Sequence, residues 1–439
     1  MPDHKPEVTF VNGPVSGLGS LPKSLKMVAL YTVVGSVGPM MYGGVVTPFG
    51  RALGLEPATI GLYFTTFSLI SVITSMAGGI LGDRIGHRRV LVLGRAIWAL
   101  QAVSFAVARD WRMFLFTAVI RGLADLTAGP AMTIAAGIAQ DTNRATVFGV
   151  LSMVQSATGV LAPVAGGYIA DTFGPRATFL AALPFMVLAT YLAGILPIKA
   201  PEDRSHKSRL SVFTVLSRPE SATARLILVF MFLNGIHNAV LNLLIPLVIQ
   251  DRFGVAYTGI SALTTAGSLG TMMTAILGGR LADKYGRGRV CALLMVVGMM
   301  PMLGLAFVSS MAQVYVIFFV SCLIANAATP GAQALFTESV PAEVRGTFVG
   351  SLQSIFGVAY GLASAVVGRL YVRGPALSFG LFYINLVLSV LIVLAIAKTT
   401  VPRAPAPEPA DGSRPAWLPV YCGRRIGTRP ARQNSHSKG

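Results

Sequence analysis

The sequence predicts an all-α membrane protein with twelve transmembrane helices in two pseudo-symmetric six-helix bundles. Three observations carry this. First, 54% of the 439 residues are hydrophobic and only 12% are charged, against roughly 25% charged in an average soluble domain. So few charges cannot coat a water-facing surface. Second, uncharged runs long enough to span a bilayer recur along the chain; a helix needs about 20 apolar residues to cross the roughly 30 Å hydrocarbon core. Third, the second half repeats motifs of the first at an offset of 200 residues. Three cysteines without a CxxC spacing provide neither a disulfide framework nor a zinc site, and no metal or cofactor is expected.

Residues 1–26 carry scattered charges and prolines, and no signal peptide is expected there. Spans are expected at 27–50, 57–82, 90–108, 113–140, 145–170 and 177–198. The polar stretch 199–224, with Pro201 and Pro219, reads as a cytoplasmic linker between bundles 27–198 and 225–398. The second set is expected at 226–250, 253–279, two spans within 290–337 divided at Ser309-Ser310, then 346–368 and 374–397. The tail 399–439 is Pro-rich and then basic, and reads as disordered.

Net charge is +18, but the Lys and Arg residues lie between apolar runs and form no single basic face. A nucleic-acid partner is therefore not expected, and the bilayer is. Counted by alternating loops, 26 Lys and Arg fall on the side of the termini and 7 on the other, or 15 against 7 without the two tails. Positive charge stays inside, so both termini are expected in the cytoplasm of a cell with this chain in its inner membrane. A monomer is expected.

Residues 79–89 read GILGDRIGHRR and residues 279–289 read GRLADKYGRGR. Gly79/Gly279, Leu81/Leu281, Asp83/Asp283, Gly86/Gly286 and Arg89/Arg289 coincide. Arg144 and Gly149 recur as Arg345 and Gly350, one residue out of that register. The pattern GxLxDRxGxRR after the second span resembles the signature loop of the major facilitator superfamily, and 25–398 is similar to that family throughout. The first-span segment YGGVVTPFGRALGLEPATIG looks most like the drug:proton antiporter branch. The resemblance implies a central cavity, alternating access, a small-molecule substrate and proton coupling. It also implies a gate: Gly79 and Gly86 allow close packing and a turn, and Asp83 is available to Arg84, Arg88 or a neighbouring helix. Gly279, Asp283, Gly286 and Arg287 form the second copy.

Charges inside spans are costly, about 2.5–3.5 kcal/mol each at the bilayer centre on insertion scales. The fourth span holds Arg121 and Asp125, whose i, i+4 spacing puts both on one face. Burial favours the neutral acid and the arginine favours the carboxylate, a balance that suits coupling. The Arg also lies where the family has its fourth-span Arg motif, which the resemblance links to proton transfer. In the seventh span Asn234, His237, Asn238 and Asn242 share one face and are expected to line the path. TGVLAPVAGG in the fifth span resembles the antiporter signature GxxxGPxxGG through Pro163, Gly166 and Gly167, with Thr158 and Ala162 where Gly is expected.

The sequence has no HExxH, GxSxG or P-loop, so no enzyme is expected. The favoured reading is a proton-coupled exporter of small, partly apolar molecules. The competing one is an uptake or facilitative carrier of a polar metabolite, favoured by the Asn stripe.

Overall fold

The structure, a computed structural model, describes residues 23–127, 144–196, 222–285, 287–329 and 345–399, with a few single positions between 332 and 340. The expected linker and tail lie outside these, apart from their first or last residues. The described helices all fall within one compact unit, Met1–Val401.

No strand occurs among the described residues. The helices are α1 Lys23–Gly43, α2 Val46–Ala52, α3 Pro57–Ile85, α4 His87–Val107, α5 Trp111–Ala124, α6 Arg144–Phe173 and α7 Pro175–Ile195. The second half holds α8 Ala222–Ala239, α9 Ile245–Phe253, α10 Tyr257–Tyr285, α11 Arg287–Met299, α12 Met311–Ala325, α13 Arg345–Arg373 and α14 Pro375–Thr399. Among the described residues eight helical stretches are long and apolar enough to cross a membrane, with α1 and α2 read as one stretch and α8 and α9 as another. The expected fourth span ends, as far as it is described, in a 3-10 turn at Asp125–Thr127; the rest of 113–140 lies outside the described residues.

The repeat is written into the backbone. Gly54 and Gly254 both have positive φ, as do Gly174 and Gly374, each pair 200 residues apart at a helix end where a side chain would be strained. Asp110 and Ser310, also 200 apart, cap α5 and α12 by accepting from Met113 N and Gln313 N. α5 has 14 residues and α12 has 15, whereas α6 has 30 and α13 has 29. One residue gained and then lost explains why Arg144 and Arg345 fall out of step.

Packing follows the same rule. In the first half α1 packs on α6 and α7, α3 on α5, and α4 on α5 and α7; in the second α8 packs on α13 and α14, α10 on α12, and α11 on α12 and α14. Between halves, α3 packs along α13 and α10 along α6. The two seams are thus equivalent under the repeat.

At two prolines another group takes the carbonyl that the proline releases. A proline cannot donate to the residue four before it. Pro39 lies inside α1, and the carbonyl of Gly35 accepts instead from Arg95 Nη1 at 2.9 Å. Pro246 follows a π-helical stretch, Val240–Leu244, and the carbonyl of Asn242 accepts from Thr47 Oγ1 at 3.3 Å, across the halves.

Candidate functional site

α5 carries Arg121 in its last turn, with Asp125 just beyond, so one turn of helix sets the pair. Arg121 Nη1 donates to Asp125 Oδ1 at 2.8 Å, and both side chains are about one-fifth exposed, at 23% and 22%. Ser71 of α3 donates to Asp125 Oδ2. The guanidinium lies over Trp98 of α4, 3.7 Å from the ring centroid, and 5.3 Å from the ring of Phe67. Such stacking stabilises a desolvated cation. The charge is thus neutralised on one side and polarised by aromatic faces on the others.

An aromatic cluster surrounds the pair. Phe105 stacks on Phe179 at 4.7 Å, Tyr63 packs on Phe114 at 4.8 Å, and buried Tyr42 donates to Gln101 Oε1 at 2.9 Å. Tyr360 of α13 reaches it from the other half, 6.2 Å from Phe64 and 5.9 Å from Phe67. Tyr42 and Met41 of the first span are buried in packing.

The second half has a neutral counterpart. Asn326, one residue out of the offset from Asp125, also opens a 3-10 turn, Asn326–Ala328. Its Nδ2 donates to Thr271 Oγ1 at 2.8 Å, and Thr271 is the repeat partner of Ser71. Cys322 stands where Arg121 would.

The Asn stripe is a ladder along α8 and the π-helical stretch that follows it: Asn238 Nδ2 donates to Asn234 Oδ1 at 2.8 Å, and Asn242 Nδ2 to the Asn238 carbonyl at 2.9 Å. Asn242 is exposed and Asn234 and Asn238 are half-buried. His237 points elsewhere, its ring stacked on Phe382 of α14 at 5.6 Å. The stripe, His237 and the Arg121–Asp125 pair lie on helices of opposite halves.

In the gate loop α3 ends at Ile85, Gly86 has φ 95° and donates to the Gly82 carbonyl, and α4 starts at His87. Arg84 is exposed, and Arg88 Nη2 donates to the Leu196 carbonyl at 3.1 Å, tying α4 to the end of α7. The side chains of Asp83, Asp283 and Arg287 lie outside the described residues, as does Gly286, while the backbone of Gly279 is within α10. Among the described residues nothing lies within 4 Å of a Cβ at Gly79; the close packing expected there falls at Gly78, against the Leu126 backbone. In the fifth-span motif Pro163 is inside α6. Gly166 abuts the Met41 backbone, and a Cβ on Gly167 would come within 2.6 Å of Thr258 Cα of α10.

Sequence reasoning missed four groups. Arg51 Nη2 meets Asp251 Oδ1 at 2.9 Å, and Tyr371 donates to Asp251 Oδ2 at 2.7 Å. Asp171 of α6 accepts from Tyr257 N and Thr258 N at 2.8 and 2.9 Å. The offset itself was the available signal for the first, since Arg51 and Asp251 are 200 residues apart. An apolar groove between α4 and α7, lined by Val92, Ala96, Ala99 and Tyr191, contains no charged group and is not the site. No group of three potential metal ligands occurs among the described residues.

Two repeat-related helical halves, joined along two seams with an ion pair and hydroxyl partners between apolar helices, define a multi-pass membrane transporter rather than an enzyme. The sequence profile of the Major Facilitator Superfamily matches residues 28–233 and again 226–432, and the chain belongs to that superfamily. It is 25% identical over 352 residues to Multidrug resistance protein 2 of Bacillus subtilis (strain 168), covering 78% of this chain and 84% of that one. It is also 25% identical to Multidrug resistance protein MdtG of Dickeya zeae (strain Ech586), covering 76% and 82%. Its fold is similar to that of the nucleoside transporter NupG, with TM-score 0.70, 12% identity and coverage of 86% and 99%. A POT peptide transporter matches with TM-score 0.70, 14% identity and coverage of 88% and 96%.

Proposed function

We propose that this chain is a proton-coupled exporter of small, partly apolar organic molecules. It works by alternating access as a monomer in the cytoplasmic membrane, with both termini cytoplasmic and no nucleic-acid partner. The Arg121–Asp125 ion pair carries the reading. Asp125 is a carboxylate with one charged partner and one hydroxyl partner, and the proposed coupling acts through these two contacts. The aromatic wall beside it suits flat apolar cargo, and the multidrug-resistance relatives agree with efflux. Asp83 and its loop act as the gate at the cytoplasmic end, and Asn234, Asn238 and Asn242 line the path from the other half. Transport of ethidium by the purified chain in proteoliposomes, with a pH gradient imposed in either direction, tests this. Accumulation is expected only where protons move opposite to ethidium, and accumulation indifferent to the gradient would refute coupling.

The Asn ladder favours a second reading, uptake or facilitative transport of a polar metabolite, because it presents amides rather than charge. Counterflow with a panel of nucleosides and short peptides separates the two.

A further inference from the structure

Among the described residues the carboxylate-mediated contacts between halves lie at the end of the molecule that carries α2 and α9, while hydroxyl-to-carbonyl bonds continue along the seams from Thr65 to Gly361, Ser68 to Gly357 and Thr265 to Val160. There Arg51 of α2 pairs with Asp251 of α9, and Tyr371 of α13 holds the second oxygen of the same carboxylate. Thr47 donates to the carbonyl of Asn242. On the other seam Asp171, at the end of α6, accepts from the first two backbone N–H groups of α10. Those N–H groups have no partner within their own helix, and a carboxylate is the group a helix N-terminus favours. Behind this layer the halves touch closely. Ser261 of α10 is fully buried, and a Cβ on Gly44 would stand 2.7 Å from its Oγ.

Neither point of contact is needed to build a half. Arg51 and Asp171 come from the first half, and their partners Asp251, Tyr257 and Thr258 come from the second. Every one of these bonds between halves must break if the halves part at this end, and none need break if they part at the other.

We propose that Arg51–Asp251, with Tyr371 as support, and Asp171 on the N-terminus of α10 form a two-point latch. It holds this end of the transport path shut and releases once in each cycle. The residues position the halves and do not touch cargo. The inference rests on the transport reading above, in which cytoplasmic termini make this the outer end.

Labelling of a buried thiol tests it without knowledge of the cargo. Ser261→Cys puts the thiol behind the latch. Cys322→Ala and Cys422→Ala remove two native thiols, and buried Cys291 of α11 stays as an internal control. Labelling of both positions by a membrane-impermeant maleimide is followed by mass spectrometry in right-side-out vesicles. Asp171→Asn and Asp251→Asn are each expected to speed labelling at position 261 by about tenfold, as a shift of one decade in the open population requires, and together by more. Arg51→Lys should retain most of the protection that Arg51→Ala loses. Cys291 should stay slow throughout. An unchanged rate in the Asp171→Asn/Asp251→Asn protein overturns the latch. A matching rise at Cys291 also overturns it, because the variants then loosen the whole fold. Acceleration only when reagent is applied from the inner face overturns the orientation proposed above and keeps the latch.

Discussion

Asp125 meets a cation on its own helix and a hydroxyl on the next, so the two neighbours are separable by mutation. Asp125→Asn keeps the shape and removes the charge. It is expected to retain downhill ethidium exchange and to lose pH-driven accumulation, measured in the same proteoliposomes; accumulation equal to the parent would make Asp125 structural. Arg121→Ala leaves the carboxylate unpaired beside Trp98 and is expected to cost up to about 3 kcal/mol, seen as a lower thermal unfolding midpoint. The second half allows the converse test. Asn326→Asp sets a carboxylate where no arginine precedes it, because Cys322 occupies that place. It should destabilise, and adding Cys322→Arg should recover part of the loss. The pair itself was legible in the sequence, because i, i+4 spacing fixes which side chains share a turn. Ser71 was not, since serines are common in spans and only the packing of α3 on α5 selects one. His237 shows the limit of a face drawn from spacing: at 3.6 residues per turn the four residues cover an arc about 140° wide, with His237 at one edge, and such an arc borders two neighbours; the ring went to Phe382.

At the scale of helices, prolines and glycines decide how closely neighbours approach. Pro39→Ala restores a donor for the Gly35 carbonyl and makes it compete with Arg95. Arg95 then keeps Tyr31, to which its Nε donates at 2.7 Å, and has lost its backbone anchor. Lower thermal stability is expected, whereas a proline swapped for alanine in a helix ordinarily raises it. Gly167→Leu should part α6 from α10 and cost about 1–3 kcal/mol by overpacking, while Gly79→Ala, with open space around it, should be neutral by the same measurement. The expected helices were legible because apolar runs and turn residues mark them. The π-helical stretch before Pro246 was not, because a proline in a span says that a carbonyl is released and not which group will take it. The shift of close packing from Gly79 to Gly78 has the same cause: adjacent glycines are equivalent in sequence, and only the neighbouring helix distinguishes them.

For the molecule as a whole, the offset repeat told most. It foretold two halves of like order, and the positive-φ glycines, the caps and the matched seams follow it. It did not tell which face of each half meets the other, since that depends on the sum of many small contacts. A fusion of green fluorescent protein to the C-terminus should fluoresce, and alkaline phosphatase fused within 199–224 should be inactive, if both lie in the cytoplasm; the reverse would invert the proposed orientation. The Arg51–Asp251 pair has one more consequence. If a two-fold axis along the membrane normal relates the halves, Arg51 and Asp251 sit at equal depth, and the two opposite charges part sideways, within the plane of the membrane. A transmembrane voltage does work of about 2.3 kcal/mol per charge per 100 mV only on charge that moves along the normal. Parting this pair carries no net charge that way, so its release is insensitive to membrane potential, and whatever voltage dependence transport has must arise elsewhere in the cycle.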